Sequence, residues 1–212
     1  MPRPRFDKLD ADTKRRLLEN AAAEFAHRGF EGASLNHVLE LSGLSKGVFY
    51  YYFDDKADLF ATVVRMTWEV LLEGDPLDPA TLEAASFWPT LEARFFDLAE
   101  RAASRPWMSG MATLMYQPPR ESGVRSVVAE LFDEVRAYLE SLVARGREIG
   151  VVRPDLPSGL LVVMLVNAAE AADRWLAERW LSFGDAEAMR IGGEVFAMLR
   201  RLVETPPERS GP

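Results

Sequence analysis

An all-α chain is what this sequence predicts, and three observations predict it. Apolar residues recur at i, i+3 and i+4 spacing along most of the 212 residues, period-two alternation is never sustained, and Gly and Pro cut the chain into segments of helical length. With 48% hydrophobic and 27% charged residues the chain reads as globular, and its length suffices to bury a core without metals or cross-links. Cysteine is absent, which excludes disulfides and Cys-ligated zinc. The two histidines, His27 and His37, are too few for a His-based metal site. The N-terminal stretch lacks the apolar region of a secretory signal, and the longest strongly apolar run, residues 160–166, is too short to span a bilayer. A cytoplasmic location without a membrane partner is the expectation.

The first helix is predicted over residues 12–27, where Leu17, Leu18, Ala21, Ala22 and Phe25 share one face. Gly29 supplies a left-handed residue after it, and Phe30 can fold back on the last turn. A second helix starts after Ser34, an N-cap, and runs to about residue 41, with Gly43 as its breaker. Ser45 caps a third, short helix that reaches about residue 52. Asp54 and Asp55 then place acid at the start of a fourth helix over 56–72, which stops at the Gly-Asp-Pro of 74–76. Five more helices are predicted over 89–104, 107–116, 124–149, 158–181 and 185–203, about nine in total. Their breakers are Pro106, Pro118 with Pro119, residues 150–157, and Ser182-Phe183-Gly184. Pro89 should push Trp88 out of helical geometry. The Pro-, Ser- and Gly-rich tail over 205–212 should be disordered. The chain therefore divides into a three-helix domain over 1–56, a helical domain over 57–204 and that tail.

Residues 34–53 read SLNHVLELSGLSKGVFYYYF, two short helices joined by a tight turn that contains glycine. This is the helix-turn-helix pattern, whose second helix enters the DNA major groove with its N-terminal residues on base edges. Such a helix needs small residues near its start, and Ser45 and Gly47 provide them. It needs a cationic side chain on its outer face, which Lys46 supplies, and hydrogen-bonding groups within reach of phosphates. Tyr50, Tyr51, Tyr52, Ser34 and Lys56 are the candidates. Val38, Leu39, Leu44, Phe49 and Phe53 form the apolar inner face. A net charge of −8 first argues against nucleic acid. However, the first 56 residues hold nine Lys or Arg and nine Asp or Glu, so the excess acid lies entirely outside them. A neutral head can meet phosphates while an acidic body discourages non-specific adhesion. Taken out of this context, the tyrosine run would be core or a ligand-stacking platform. Lys46, Lys56, His27 and His37 would likewise be surface residues.

The string Gly43-Leu44-Ser45-Lys46-Gly47-Val48-Phe49-Tyr50-Tyr51-Tyr52-Phe53 is followed by Lys56, Asp58, Leu59 and Phe60 and preceded by a helix that closes on Gly29-Phe30. Over roughly residues 13–60 this resembles the DNA-binding segment of the tetracycline-repressor (TetR) family. The resemblance implies phosphate contacts by Ser34 and Lys56 and backbone-facing positions for Tyr51 and Tyr52. It also implies base contacts by Lys46, Gly47 and Tyr50, with Asn36 as a further candidate. The departures are Leu39 and Ser42 where alanine is usual, Val48 where threonine is frequent, and Asp54 where a basic residue is common.

A single helix-turn-helix reads few base pairs, so a homodimer on double-stranded DNA is expected. Residues 160–172 are apolar or small almost all round, which predicts burial on more than one side. Ile191, Val195, Phe196, Met198, Leu199 and Leu202 form a stripe on the last helix. Gly192, Gly193 and the alanines at 168, 169, 171 and 172 would permit close helix approach. The last two helices of two subunits could thus form a four-helix bundle, as the resemblance also implies, unless these stripes serve only the intrachain core. The middle of the chain is rich in aromatic residues and Met, as adaptable small-molecule pockets are. Trp88, Phe95, Phe96, Trp107, Met111, Met115 and Phe132 are effector-pocket candidates, with Asn167 and Glu170 as polar groups; each taken singly is a core or surface residue. No Ser/His/Asp set, Gly-rich phosphate loop or metal-ligand cluster supports catalysis or a cofactor. The combined reading is a ligand-responsive transcriptional repressor that binds a palindromic operator as a homodimer and is released by a small-molecule effector. The alternative is an all-helical carrier or enzyme without a DNA-binding role.

Overall fold

The computed structural model describes residues 2–71, 77–116, 122–179, 183 and 185–206. Among these residues lie nine α-helices: α1 (Ala11–Gly32), α2 (Leu35–Ser42), α3 (Lys46–Tyr52), α4 (Lys56–Leu71), α5 (Phe87–Ala103), α6 (Met108–Tyr116), α7 (Ser122–Glu148), α8 (Ser158–Arg179) and α9 (Asp185–Val203). Two 3₁₀ helices, Pro4–Lys8 and Pro79–Thr81, accompany them. The only β pairing among the described residues is an isolated antiparallel bridge, Val152 to Glu204. No helix of the described residues is long and apolar enough to cross a membrane. The expected breaks at 74–76 and 118–119, the end of the eighth helix at 181, Ser182, Gly184 and the tail from 207 onward lie outside the described residues.

The chain forms two compact units. The first comprises Met1–Glu73 and Arg101–Phe132. Asp10 caps α1 by accepting the Thr13 N–H at 2.9 Å, and the expected face of Leu17, Leu18, Ala21, Ala22 and Phe25 is buried. α1 extends past its expected end, through a kink at Gly29 (φ 69°, ψ 174°) into one further turn. Phe30 does fold back, stacking at 6.1 Å on Phe25 and meeting Phe60 of α4 edge-on at 5.3 Å. Leu59, Phe60, Val63 and Val64 of α4 complete this core with Met111 and Met115 of α6 and Val124, Val128 and Leu131 of α7. Each fully buried Phe or Leu here contributes about 1.5–3 kcal/mol.

The second unit comprises Gly74–Glu100 and Asp133–Pro212, with Leu82, Phe87, Leu142, Val143, Val152, Leu161, Val162 and Val203 as its core. Here α5 begins at Phe87, two residues before the expected start, and Trp88 is helical. The proline falls in the first turn, where its missing N–H has no intrahelical acceptor to lose. Between α7 and α8 the chain is held by side chains. The Arg147 Nε donates to the Arg153 carbonyl at 3.2 Å, and Arg153 forks onto Asp155 with two contacts of 2.7 Å. Thr205 is anchored rather than free: its N–H donates to the Val151 carbonyl at 3.1 Å and its hydroxyl to the Gly150 carbonyl at 2.9 Å. The segment expected to be disordered from Thr205 is thus held at its first residue.

Within one chain α8 is buried along only part of its surface. Leu161 and Val162 are buried, but Leu160 and Val163 are 45% and 43% exposed. Within the chain, a Cβ at Gly192 or Gly193 would meet the rings of Phe95 or Phe96 at ordinary distances of 3.5–3.7 Å.

Candidate nucleic-acid interface

α2 and α3 are built by their end residues. Ser34 and Ser45 are the N-caps, each side chain accepting the N–H of the third residue on, His37 and Val48, at 3.3 Å. Gly43 ends α2 in the left-handed region (φ 68°, ψ 28°), a conformation open to glycine at little cost. Its N–H donates to the Glu40 carbonyl and the Leu44 N–H to the Leu39 carbonyl, at 3.2 and 2.9 Å. This pair of bonds is a Schellman closure, and Leu44 drops its side chain against the core. A cap two residues after a Schellman closure makes the turn between α2 and α3 as short as it is.

The two faces of α3 separate cleanly. Phe49 and the following Phe53 are fully buried. Ser45, Lys46, Gly47, Val48, Tyr50 and Tyr51 are exposed, the two tyrosines by 52% and 50%. Lys46 makes no hydrogen bond or ion pair among the described residues. Asn36 is exposed on α2.

Three of the sequence candidates have work inside the fold. Tyr52 is half-buried, with Phe6 edge-on at 5.7 Å and Tyr51 at 5.1 Å. Lys56 donates its Nζ to the carbonyls of Glu31 at 3.1 Å and Ala33 at 3.4 Å and lies 4.8 Å from the Phe30 ring centre. Two of its three ammonium donors are thus occupied in tying α4 to the α1–α2 connection. Ser34 follows directly on Ala33, whose carbonyl Lys56 engages. The hydroxyl of Ser34 is, however, already engaged as a cap.

Two features were not foreseen. The first is Glu24, a carboxylate buried on the inner side of α1. It accepts the Ser34 N–H at 2.8 Å, His37 Nδ1 at 2.9 Å and Arg28 Nε at 3.3 Å. Since the carboxylate only accepts, His37 carries its proton on Nδ1. Burial is the largest influence on Glu24 and pushes its pKa up, yet these donors and the nearby charges together outweigh it and hold the carboxyl below the usual glutamate value. His37, read as a plain surface residue, thereby orients α2. A lone Glu amid Ala21, Ala22 and Phe25 was the available signal.

The second is the N-terminal arm. Phe6, 1% exposed, docks against Phe53 at 4.8 Å and beneath Tyr52. The Arg3 guanidinium grips Asp54 Oδ1 at 2.7 and 3.2 Å and donates to the Tyr50 carbonyl at 3.0 Å. Asp54, a departure expected to weaken phosphate attraction, is therefore neutralised from the arm.

The effector-pocket candidates are divided between the units. Trp107, Met111, Met115 and Phe132 belong to the first, where Met111 and Met115 are fully packed core. Trp88, Phe95, Phe96, Asn167 and Glu170 belong to the second. There Phe95 lies 5.6 Å from Phe196 of α9, and Arg200 stands 5.2 Å above the Trp88 ring. Asn167 is exposed and donates to the Val163 carbonyl at 2.7 Å, while Glu170 pairs with Arg174. Among the described residues no group of three or more metal-ligating side chains is present.

Residues 17–63 match the profile described as "Bacterial regulatory proteins, tetR family". The HTH-type transcriptional repressor SCO4008 of Streptomyces coelicolor is 29% identical over 161 residues, which span 76% of this chain and 78% of that protein. Two solved structures share the fold. TylP, a TetR regulator from Streptomyces fradiae, matches with a TM-score of 0.69 at 22% identity, over 92% of this chain and 88% of its own. FadR from Bacillus subtilis, solved in complex with stearoyl-CoA, matches with 0.67 at 13% identity, over 87% and 96%.

Proposed function

We propose that the chain is a DNA-binding transcriptional regulator of the tetR family, whose profile matches residues 17–63, and that it acts as a homodimeric repressor released from a palindromic operator by a small-molecule effector. The observation that carries this reading is α3, whose apolar back is buried while Lys46, Tyr50 and Tyr51 are exposed with no acidic partner among the described residues. Residues 1–56 form the DNA-binding part and 57–204 the effector and dimer part. Ser45, Gly47 and Asn36 line the approach to the bases, and Ser34, Tyr52 and Lys56 lie toward the backbone.

The second protomer covers the apolar residues that α8 and α9 leave exposed: Leu160, Val163, Trp175, Met189 and Met198. Pairing through these helices sets the separation of the two α3 helices, which must match half-sites about 34–36 Å apart. An effector that favours a different separation shifts the population away from the DNA-competent dimer. The aromatic side of α5, with Trp88, Phe95 and Phe96, suits an effector with an apolar body. Asn167 and Glu170 are polar groups in the same unit. The proposed location is the cytoplasm, where such a dimer meets DNA.

The test starts by selecting duplexes from a random pool. The expected product is an inverted repeat bound by two chains, and a compound that raises the melting temperature should weaken that complex at least tenfold. An asymmetric site bound by one chain contradicts the dimer reading. A stabilising compound that leaves DNA affinity unchanged contradicts release by effector, and a chain that selects no duplex is a carrier rather than a regulator.

A further inference from the structure

The arm ahead of α1 holds two arginines against α3, and their situations differ. Arg3 is engaged: its guanidinium serves Asp54 and the Tyr50 carbonyl, and its N–H donates to the Tyr52 carbonyl at 2.8 Å. Arg5 is exposed, with its guanidinium carbon 4.2 Å from the centre of the Tyr51 ring. It makes no hydrogen bond or ion pair among the described residues. Its position is nonetheless fixed, because the next residue, Phe6, is buried against Phe53 and Tyr52 and carries Lys14 4.9 Å above its ring. A guanidinium stacked on an aromatic ring keeps its in-plane donors free, and that fork fits the oxygens of a phosphate. Tyr51 lies on the exposed side of α3, so the anion that comes closest when α3 occupies a groove is the DNA backbone.

We propose that Arg5, stacked on Tyr51, is a phosphate-binding residue that extends the DNA contact beyond the helix-turn-helix. Arg3 is its positioning counterpart, cancelling the Asp54 charge where α3 ends. This rests on the DNA-binding reading above.

The test is a salt titration of the whole chain on a fluorescein-labelled duplex of arbitrary sequence, since a phosphate contact acts on any sequence. Each lost phosphate contact lowers the slope of log K against log salt by about 0.9. Arg5→Gln should show that loss for every protomer bound, with the melting temperature of the parent. Arg5→Lys, which keeps the charge, should keep the parent's slope. An Arg5→Gln variant with the parent's slope overturns the proposal, whatever its affinity. If Arg5→Gln also melts early, Arg5→Lys decides: the parent's slope supports the contact, and a slope as low as that of Arg5→Gln overturns it. A parent chain whose binding shows no salt dependence would remove the DNA-binding reading first, so the two failures are separable.

Discussion

Alanine at Gly110 is expected to destabilise the first unit by about 2–3 kcal/mol, the upper part of the range typical of overpacking a filled site. A Cβ built on Gly110 would lie 2.5 Å from Ala26 Cβ, 2.9 Å from Ala26 Cα and 3.0 Å from the Ala26 carbonyl oxygen. None of these atoms belongs to a flexible side chain; all sit on or next to the backbone of α1. α6 must therefore move away from α1, disturbing the core that Met111 and Met115 share with α4 and α7. Helix propensity acts in the opposite direction, favouring alanine over glycine by about 1 kcal/mol, and it loses. Thermal unfolding should show a midpoint lowered by roughly 4–10 °C. A midpoint equal to or above that of the parent would mean that α1 and α6 are not packed this closely.

The second large effect is on binding. Lys46→Ala combined with Tyr50→Ala should weaken the selected duplex by on the order of 100-fold or more, because each good base-edge contact contributes about 1–3 kcal/mol. Both side chains are exposed, and Lys46 makes no hydrogen bond or ion pair among the described residues, so the melting temperature should hold. Loss of binding at constant stability separates a DNA-facing surface from a structural one. Unaltered affinity in the double variant would exclude α3 as the reading helix.

What the sequence made legible is what local chemistry decides. Ser34, Gly43 and Ser45 each act within three residues of themselves, so the caps and the turn could be placed from the letters alone. The inward set Val38, Leu39, Phe49 and Phe53 followed from helical spacing, and so did the outward set around Lys46. Contacts across long stretches of chain were not legible. Phe6 reaches α3 from more than 40 positions away, and Arg3 meets Asp54 at a separation of 51; neither leaves a periodic trace. Glu24 looked like one more helical glutamate until the α1–α2 crossing turned it inward onto Ser34 and His37. Pro89 was read as a barrier because a proline in the first turn and one before a helix look alike in sequence. Lys56 reads from the sequence as a phosphate contact, and only the fold shows the two carbonyls it serves. Among the aromatic and Met residues of the middle, composition alone could not separate core such as Met111 from the α5 side that carries Trp88, Phe95 and Phe96.

The central claim, that α3 enters a groove of duplex DNA, can be tested by cutting the DNA from α3 itself. The chain contains no cysteine, so Val48→Cys introduces a single attachment point on the exposed side of that helix. An iron–EDTA group placed there, on the chain bound to its selected duplex, should cleave in two clusters related by the symmetry of the site and separated by about one or more helical turns. Uniform cleavage, or none while the complex persists, would contradict the account.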